Sequence, residues 1–131
     1  MNELTKTQNT HLAETLESWD RKTRDDLRRE LLQTGEQHFM DLAGTVHDRG
    51  DESVADMLTD LESTLFERHL LELRAVEAAR NRLADGSINC CVECGGEIGY
   101  QRLLAYPVAV RCVSCQQQFE KTHHHESTPG L

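Results

Sequence analysis

Hydrophobic residues recur at helical intervals along most of the chain, on a background that is polar and charged. The first series predicts a helix from about Thr10 to Val46. Gly35 lies inside it and predicts a bend or weak turn, because glycine disfavours helix interiors. The apolar positions of this series are Leu12, Leu16, Trp19, Leu27, Leu31, Phe39, Leu42 and Val46. The first ten residues are polar and predict a frayed end.

A second series of apolar positions predicts a helix that begins near Ser53. The sequence Ser-Val-Ala-Asp at 53–56 has the form of a capping box, and Gly86 suits the position just after a helix end. The apolar positions of this series are Leu58, Leu61, Leu65, His69, Leu73, Val76 and Leu83. Between the two helices, residues 47–52 contain no apolar residue and include Gly50, which predicts a turn.

Four cysteines form two CxxC pairs, Cys91 with Cys94 and Cys112 with Cys115. Paired thiolates at this spacing match the ligand set of one tetrahedral Zn²⁺ ion. Four sulfur ligands leave no coordination position for water or substrate, so the ion is predicted to be structural. The alternatives are two redox-active CxxC pairs or two disulfides. Cys90 is predicted to be a surface thiol or to exchange with Cys91, and the CxxC spacing assigns the metal to Cys91.

These patterns predict an all-α protein, in which a long antiparallel coiled-coil hairpin carries a small four-cysteine zinc finger and a C-terminal helix. The expected organisation is a polar N-terminal segment at 1–11 and a hairpin at 12–85 with its tip near 47–53. The zinc finger, helix and tail then occupy 86–131. A narrow apolar seam on each arm is typical of a two-stranded coiled coil.

The charge of the chain limits its partners. There are 23 acidic and 14 basic residues, a net charge of -9, and no basic cluster. Direct DNA binding is therefore not expected, since it requires cations that neutralise phosphates. No apolar run reaches the roughly 18–20 residues of a membrane span. Without an evident signal peptide, cysteines in a zinc pattern fit the reducing cytoplasm. No catalytic motif is evident, so the chain is not expected to be an enzyme.

Acidic residues concentrate around the predicted turn of the hairpin. From Asp41 to Glu62 there are seven acids and one base, Arg49. One interpretation is a solvated surface in which some carboxylates complement the dipole of the second helix. The other is a stiff rod that carries carboxylates to a basic groove or to the Mg²⁺ of another protein.

The cysteine-rich segment resembles the zinc-finger signature of the DksA/TraR family of bacterial transcription regulators. The shared elements are Cys91-Val-Glu-Cys94-Gly, Ile98, Arg102-Leu103, Ala105, Pro107 and Cys112-Val-Ser-Cys115. The acidic hairpin before this segment is similar to the coiled coil of the family in length and placement. The resemblance therefore covers most of the chain.

The resemblance implies a partner and a mechanism. Members of the family bind RNA polymerase rather than DNA, and they insert the coiled coil into the secondary channel. Their tip carries an Asp-x-x-Asp-x-Ala pattern, which Asp48, Asp51 and Ser53 match at the two aspartates and not at the last position. The resemblance thus implies that these three residues form the partner-binding tip.

The resemblance also bears on the alarmone ppGpp. The best-known member of the family helps to bind it with an Arg just before the proline of the finger and a Lys just after the fourth cysteine. Here Tyr106 and Gln116 occupy these positions, so both cations are missing. We therefore expect action without ppGpp, or only a weak response to it.

Two other functions fit the same residues. One is a zinc-dependent adaptor that binds another protein through the acidic helices without touching polymerase. The other is a thiol redox switch in which oxidation of the cysteines ejects zinc and releases a partner. The run His123-His-His125 is interpreted as part of a solvated tail rather than a second metal site.

Overall fold

The computed structural model describes residues 2–47 and 64–123, and the secondary structure of these ranges is helical apart from one isolated β-bridge. The prediction of an all-α protein is confirmed. Five helices lie in the described ranges: α1 (Lys6–Gln33), α2 (Gln37–Ala43), α3 (Thr64–Asp85), α4 (Tyr100–Ala105) and α5 (Val113–His123).

The N-terminus of α1 is capped rather than frayed. Thr5 accepts a hydrogen bond from the backbone N–H of Gln8, and the side chain of Gln8 accepts one from the backbone N–H of Thr5. This reciprocal arrangement is a capping box, which satisfies two N–H groups that a helix start leaves without partners. The expectation of a frayed segment over the first ten residues is therefore wrong, because α1 already begins at Lys6.

The helix predicted to run as far as Val46 ends at Gln33. Gly35 adopts φ 74°, a left-handed conformation that interrupts the helix, and Glu36 is extended before α2 begins. The predicted bend at Gly35 is thus a reversal of the chain. Beyond it α2 packs back against α1, so that Val46 reaches Arg24 and His47 lies 2.9 Å from Asp25.

α1 and α3 run antiparallel, and we refer to the two together as the helical hairpin. Side-chain contacts between them connect Glu30 with His69, Arg24 with Glu77 and Glu17 with Arg80, so residue numbers fall on one helix as they rise on the other. A first core lies between α1, α2 and α3. Its buried members are Leu27, Leu31, Ala43, Val46, Phe66 and Leu73.

The middle of the hairpin contains buried charge, in the part of α1 where the series of apolar residues is interrupted between Trp19 and Leu27. Asp20 is fully buried and pairs with Arg24 at 2.9 Å and with Arg80 at 3.2 Å. This cluster separates the first core from a second one. The second core joins the start of α1 and the end of α3 to residues 88–109, and its buried members are Leu12, Leu16, Ala79, Ile88, Cys91, Ile98, Leu103 and Ala109.

The predicted tip lies mostly outside the described residues. Asp48, Asp51, Ser53 and the start of the second helix belong to the range that the structure does not describe. The end of that helix is as predicted: α3 stops at Asp85, and Gly86 follows with φ 84°. Hydrogen bonds from the hydroxyl and backbone N–H of Ser87 hold the pKa of Asp85 below its usual value.

Candidate metal centre

The first cysteine pair sits in a tight turn that contains Gly95 and Gly96. The backbone N–H of Cys91 donates to the carbonyl of Gly96 at 2.8 Å, and that of Gly95 donates to the carbonyl of Cys91 at 3.0 Å. Gly95 has φ 76°, which favours glycine over other residues. The turn places the side chains of Cys91 and Cys94 on the same side.

The second pair is positioned by the start of α5. Cys112 immediately precedes this helix, and Cys115 lies in its first turn. A backbone hydrogen bond of 2.9 Å from Val92 to Val110 ties the two cysteine turns together. The residues between the pairs form α4, whose Leu103 is fully buried in the second core. Leu103 thus packs in the same core as Cys91.

The four sulfurs meet in one cluster. The Sγ atoms of Cys91, Cys94, Cys112 and Cys115 all lie within 4.8 Å of one another, and those of Cys94 and Cys112 are 3.9 Å apart. Sulfurs bound to one tetrahedral zinc at about 2.3 Å are separated by about 3.8 Å. The cluster therefore fits one tetrahedral ion.

Backbone N–H groups point at these sulfurs and favour their charged form. Gly96 donates to the Sγ of Cys94 at 3.4 Å, and Cys112 donates to that of Cys91 at 3.3 Å. Burial alone would raise the pKa of the Cys91 thiol, but backbone hydrogen bonds, first that of Cys94, lower it to about 6. Such bonds orient thiolate ligands and stabilise their charge.

The four sulfurs also affect one another's ionisation. A hydrogen bond with the Cys112 thiol, followed by burial, raises the pKa of Cys115 to about 12. Four thiolates this close together repel one another unless a cation lies between them. A divalent ion supplies that charge, which is why metal binding and deprotonation of such ligands occur together.

Cys90 does not belong to the cluster. Its Sγ lies 3.7 Å from the carbonyl oxygen of Gly95 and 3.9 Å from that of Cys91. The structure thus groups Cys91, and not Cys90, with the other three sulfurs, as the CxxC spacing predicts. The last residues of the histidine run, His124 and His125, lie outside the described residues.

Arg82 connects the hairpin to the cysteine-rich segment, and the sequence pattern did not indicate it. From the last turn of α3 its guanidinium donates to the carbonyl oxygen of Cys90 at 2.8 Å and to that of Ser87 at 3.3 Å. Longer bonds of 3.5 Å reach the carbonyl oxygens of Ile88 and Ala109. One side chain therefore contacts the chain ahead of both cysteine pairs.

The N-terminal residues also contact this segment. Asn2 donates to the carbonyl of Gly95 at 2.9 Å, and Asn89 donates to the carbonyl of Asn2 at 3.1 Å. The amide oxygen of Asn89, which is buried, accepts from the backbone N–H of Gly99 at 2.7 Å. Buried amides form such bonds because an unsatisfied one is costly. Residues that looked featureless in the sequence thus help to build the metal centre.

The fold and the sulfur cluster define a helical-hairpin protein with a four-cysteine metal site, and comparison with known proteins agrees. Residues 86–121 match the family model of the prokaryotic dksA/traR C4-type zinc finger. We call these residues the zinc unit. The family match and the sulfur cluster together support one structural zinc ion.

Several known proteins are similar over longer stretches. The RNA polymerase-binding transcription factor DksA of Escherichia coli strain K12 is 28% identical over 106 residues, which cover 81% of this chain and 67% of that protein. An uncharacterised 8.2 kDa protein of Escherichia phage P2 is 37% identical over 70 residues, covering 53% of this chain and 86% of the phage protein. The chain belongs to the DksA/TraR family.

Among solved structures, transcription factor DksA2 from Pseudomonas aeruginosa is 30% identical, with 83% of this chain and 88% of that one covered and a TM-score of 0.44. In the described ranges, no helix combines the length and the apolar character that crossing a membrane requires.

Proposed function

We propose that the protein is a transcription regulator that binds RNA polymerase directly. The observation that carries this proposal is a family-type zinc unit seated on a helical hairpin, in a chain whose excess of acidic residues lies mostly between the two helices of that hairpin in the sequence. The relatives named as RNA polymerase-binding transcription factors match this chain over about two thirds of their own length. The protein would then act beside the polymerase in the cytoplasm.

In this proposal the zinc ion is bound by Cys91, Cys94, Cys112 and Cys115 and supplies no chemistry to a reaction. Its four ligands fix the zinc unit on the end of the hairpin, and Arg82 and the second core complete the joint. The acidic segment that holds Asp48, Asp51 and Ser53 enters the secondary channel of the polymerase. Its carboxylates there compete for basic side chains or displace catalytic elements and so alter initiation.

The net charge of -9 supports a protein surface rather than DNA as the partner. The two positions at which the family binds ppGpp support a regulator that needs little or none of it. Tyr106 packs against Trp19, with ring centroids 5.7 Å apart, and Gln116 donates to the carboxylate of Glu120 at 2.9 Å. Neither side chain offers a cation to a polyphosphate.

Competition for core RNA polymerase tests the proposal. Purified protein is expected to displace a known secondary-channel factor and not to shift a DNA fragment in a gel. Failure to bind the core enzyme would overturn the proposal and favour an adaptor for another protein. Zinc release at micromolar peroxide, coupled to a change in partner binding, would instead favour the redox switch.

A paired substitution tests the role of the tip. Asp48→Asn with Asp51→Asn should leave folding and polymerase binding intact and weaken the effect on transcription. The matched control is Glu3→Gln with Glu14→Gln, which makes the same change of charge at two exposed positions of the described N-terminal region. If the tip variant regulates as well as the wild type, the proposed tip mechanism is wrong.

A further inference from the structure

Arg24 occupies the interior of the hairpin, where an apolar side chain is the usual choice. Its side chain is 6% exposed, and that of its partner Asp20 is 0% exposed. Burying an ion pair has a desolvation cost, and apolar residues of similar volume are often as stabilising or more so. Stabilisation of the hairpin alone therefore does not explain why a charged pair is buried here, and the other contacts of Arg24 suggest a different role.

The guanidinium of Arg24 contacts three segments of the chain at once. Its Nε donates to Asp20 on α1 at 2.9 Å, and its Nη2 donates to Glu77 on α3 at 3.5 Å. Its Nη1 donates to the backbone carbonyl of Val46, beyond the end of α2. A planar guanidinium presents its donors in fixed directions, which a lysine ammonium cannot reproduce.

Val46 is the last buried residue of the described range 2–47, just before the proposed tip residues Asp48, Asp51 and Ser53. Its side chain is fully buried in the first core, and its carbonyl lies past the end of α2, where carbonyls lack partners within the helix. Asp48 follows two residues later, and two extended residues span at most about 7 Å. Val46 is therefore an anchor of the chain in the first core immediately before the proposed tip residues.

We propose that Arg24 is a positioning residue that fixes the point at which the chain enters the acidic segment. By binding the carbonyl of Val46 and the carboxylate of Glu77 at the same time, it fixes the chain to both helices of the hairpin two residues before Asp48, the first acid of the proposed tip. Arg24 itself is buried and touches no partner. The inference rests on the proposed function, because it assigns Arg24 a role in how the tip meets the polymerase.

The test compares Arg24→Lys with Arg21→Lys, a matched control on the same helix. Arg21 is 63% exposed and lies 3.9 Å from Glu17, so its replacement alters only a surface pair. For each protein, zinc content, hydrogen exchange of residues 37–47, polymerase binding and regulation at saturating protein are measured. Arg24→Lys should increase exchange in 37–47 by about tenfold or more, because a charge-assisted bond to the backbone is lost.

The same variant should retain zinc and bind polymerase like the wild type, yet regulate several-fold less when bound. A purely structural role would lower binding and zinc content together and leave regulation per bound molecule unchanged. Unchanged exchange in 37–47, or full regulation at saturation, overturns the inference. The Arg21→Lys control should match the wild type in every measurement.

A second variant covers the case in which Arg24→Lys does not fold. Asp20→Leu combined with Arg24→Met removes the buried pair as a unit, so that neither charge is left buried alone. Arg80 keeps its second partner, Glu17, at 3.3 Å. This variant should be stable but deficient in regulation, and wild-type regulation by it overturns the inference. If the wild-type protein itself does not bind polymerase, the proposed function is wrong, whereas the exchange measurement still decides whether Arg24 fixes Val46.

Discussion

Trp19 of α1 and Tyr106 of the zinc unit meet edge to face, with ring centroids 5.7 Å apart and planes inclined at 69°. Such pairs favour this geometry because the positive edge of one ring faces the negative face of the other. The contact joins the hairpin to the loop between the two cysteine pairs. The contact also gives Tyr106 a packing partner, although this residue is 49% exposed and lies outside the second core.

Replacing Tyr106 with alanine should therefore loosen the zinc unit from α1. We expect a loss of about 1 kcal/mol in the free energy of unfolding beyond the loss of buried area. Trp19 is the only tryptophan, so its fluorescence reports the contact directly. Tyr106→Phe keeps the ring and serves as the control. Equal stability and equal emission for the alanine and phenylalanine variants would contradict the role of the ring pair.

Removal of the metal should unfold the zinc unit. Binding of structural zinc contributes on the order of 10 kcal/mol to the folding of small metal modules. A chelator should reduce the helical signal of α4 and α5 and change the emission of Trp19, since Tyr106 then leaves its place. Circular dichroism and fluorescence measure the two effects, and re-addition of zinc should reverse both.

The adjacent cysteines provide a matched pair for this site. Cys91→Ser should lose the zinc ion, because its sulfur is one of the four in the cluster. Cys90→Ser should keep one zinc per chain, because its sulfur faces backbone carbonyls instead. Metal analysis of the purified variants decides between them. A larger loss of zinc from Cys90→Ser would reverse the assignment.

Arg82 should be essential to the joint between α3 and the zinc unit. Its replacement by methionine removes the guanidinium hydrogen bonds to this segment, including the one to the carbonyl of Cys90 at 2.8 Å. We expect destabilisation by about 2–3 kcal/mol. Arg68→Met on the same helix is the control, since the side chain of Arg68 is 87% exposed and pairs across the surface with Glu72. Thermal unfolding of both variants should separate them by several degrees.

The proposed independence from ppGpp can be reversed on purpose. Tyr106→Arg with Gln116→Lys supplies cations at the two positions where the family binds the alarmone. The double variant should gain a response to ppGpp in transcription with purified polymerase, because a polyphosphate is bound through such charges. Tyr106→Gln alone controls for loss of the ring. A strong response of the wild-type protein to ppGpp would contradict the proposal.

Features set by local sequence could be predicted. The spacing of leucines along α1 and α3, the glycine after Asp85 and the two CxxC turns each act within a few residues. The capping box of Thr5 and Gln8 is equally local, and the pattern Thr-x-x-Gln could have predicted the start of α1, although the residues around it are polar. The start of α1 is therefore a failure of interpretation rather than a limit of the sequence.

Features set by tertiary contacts could not be predicted. Phe39, Leu42 and Val46 continue the period of α1 and fit either one long helix or a helix folded back on it. The left-handed Gly35 and the buried bond from Arg24 to Val46 select the second arrangement. Arg82 and the pair of Asp20 and Arg24 look like ordinary surface charges in the sequence, because the packing of other segments against them is what buries them.

The second core has a consequence for how this protein can be divided. Leu12 and Leu16 come from the first helix, whereas Ile88, Ile98 and Leu103 come from the zinc unit, and all five share one interior. A gene cut after codon 85 would give two fragments, each with half of that interior exposed to water. A zinc unit transferred to another scaffold would therefore need the N-terminal part of α1 and also the C-terminal part of α3, which supplies Ala79 and Arg82.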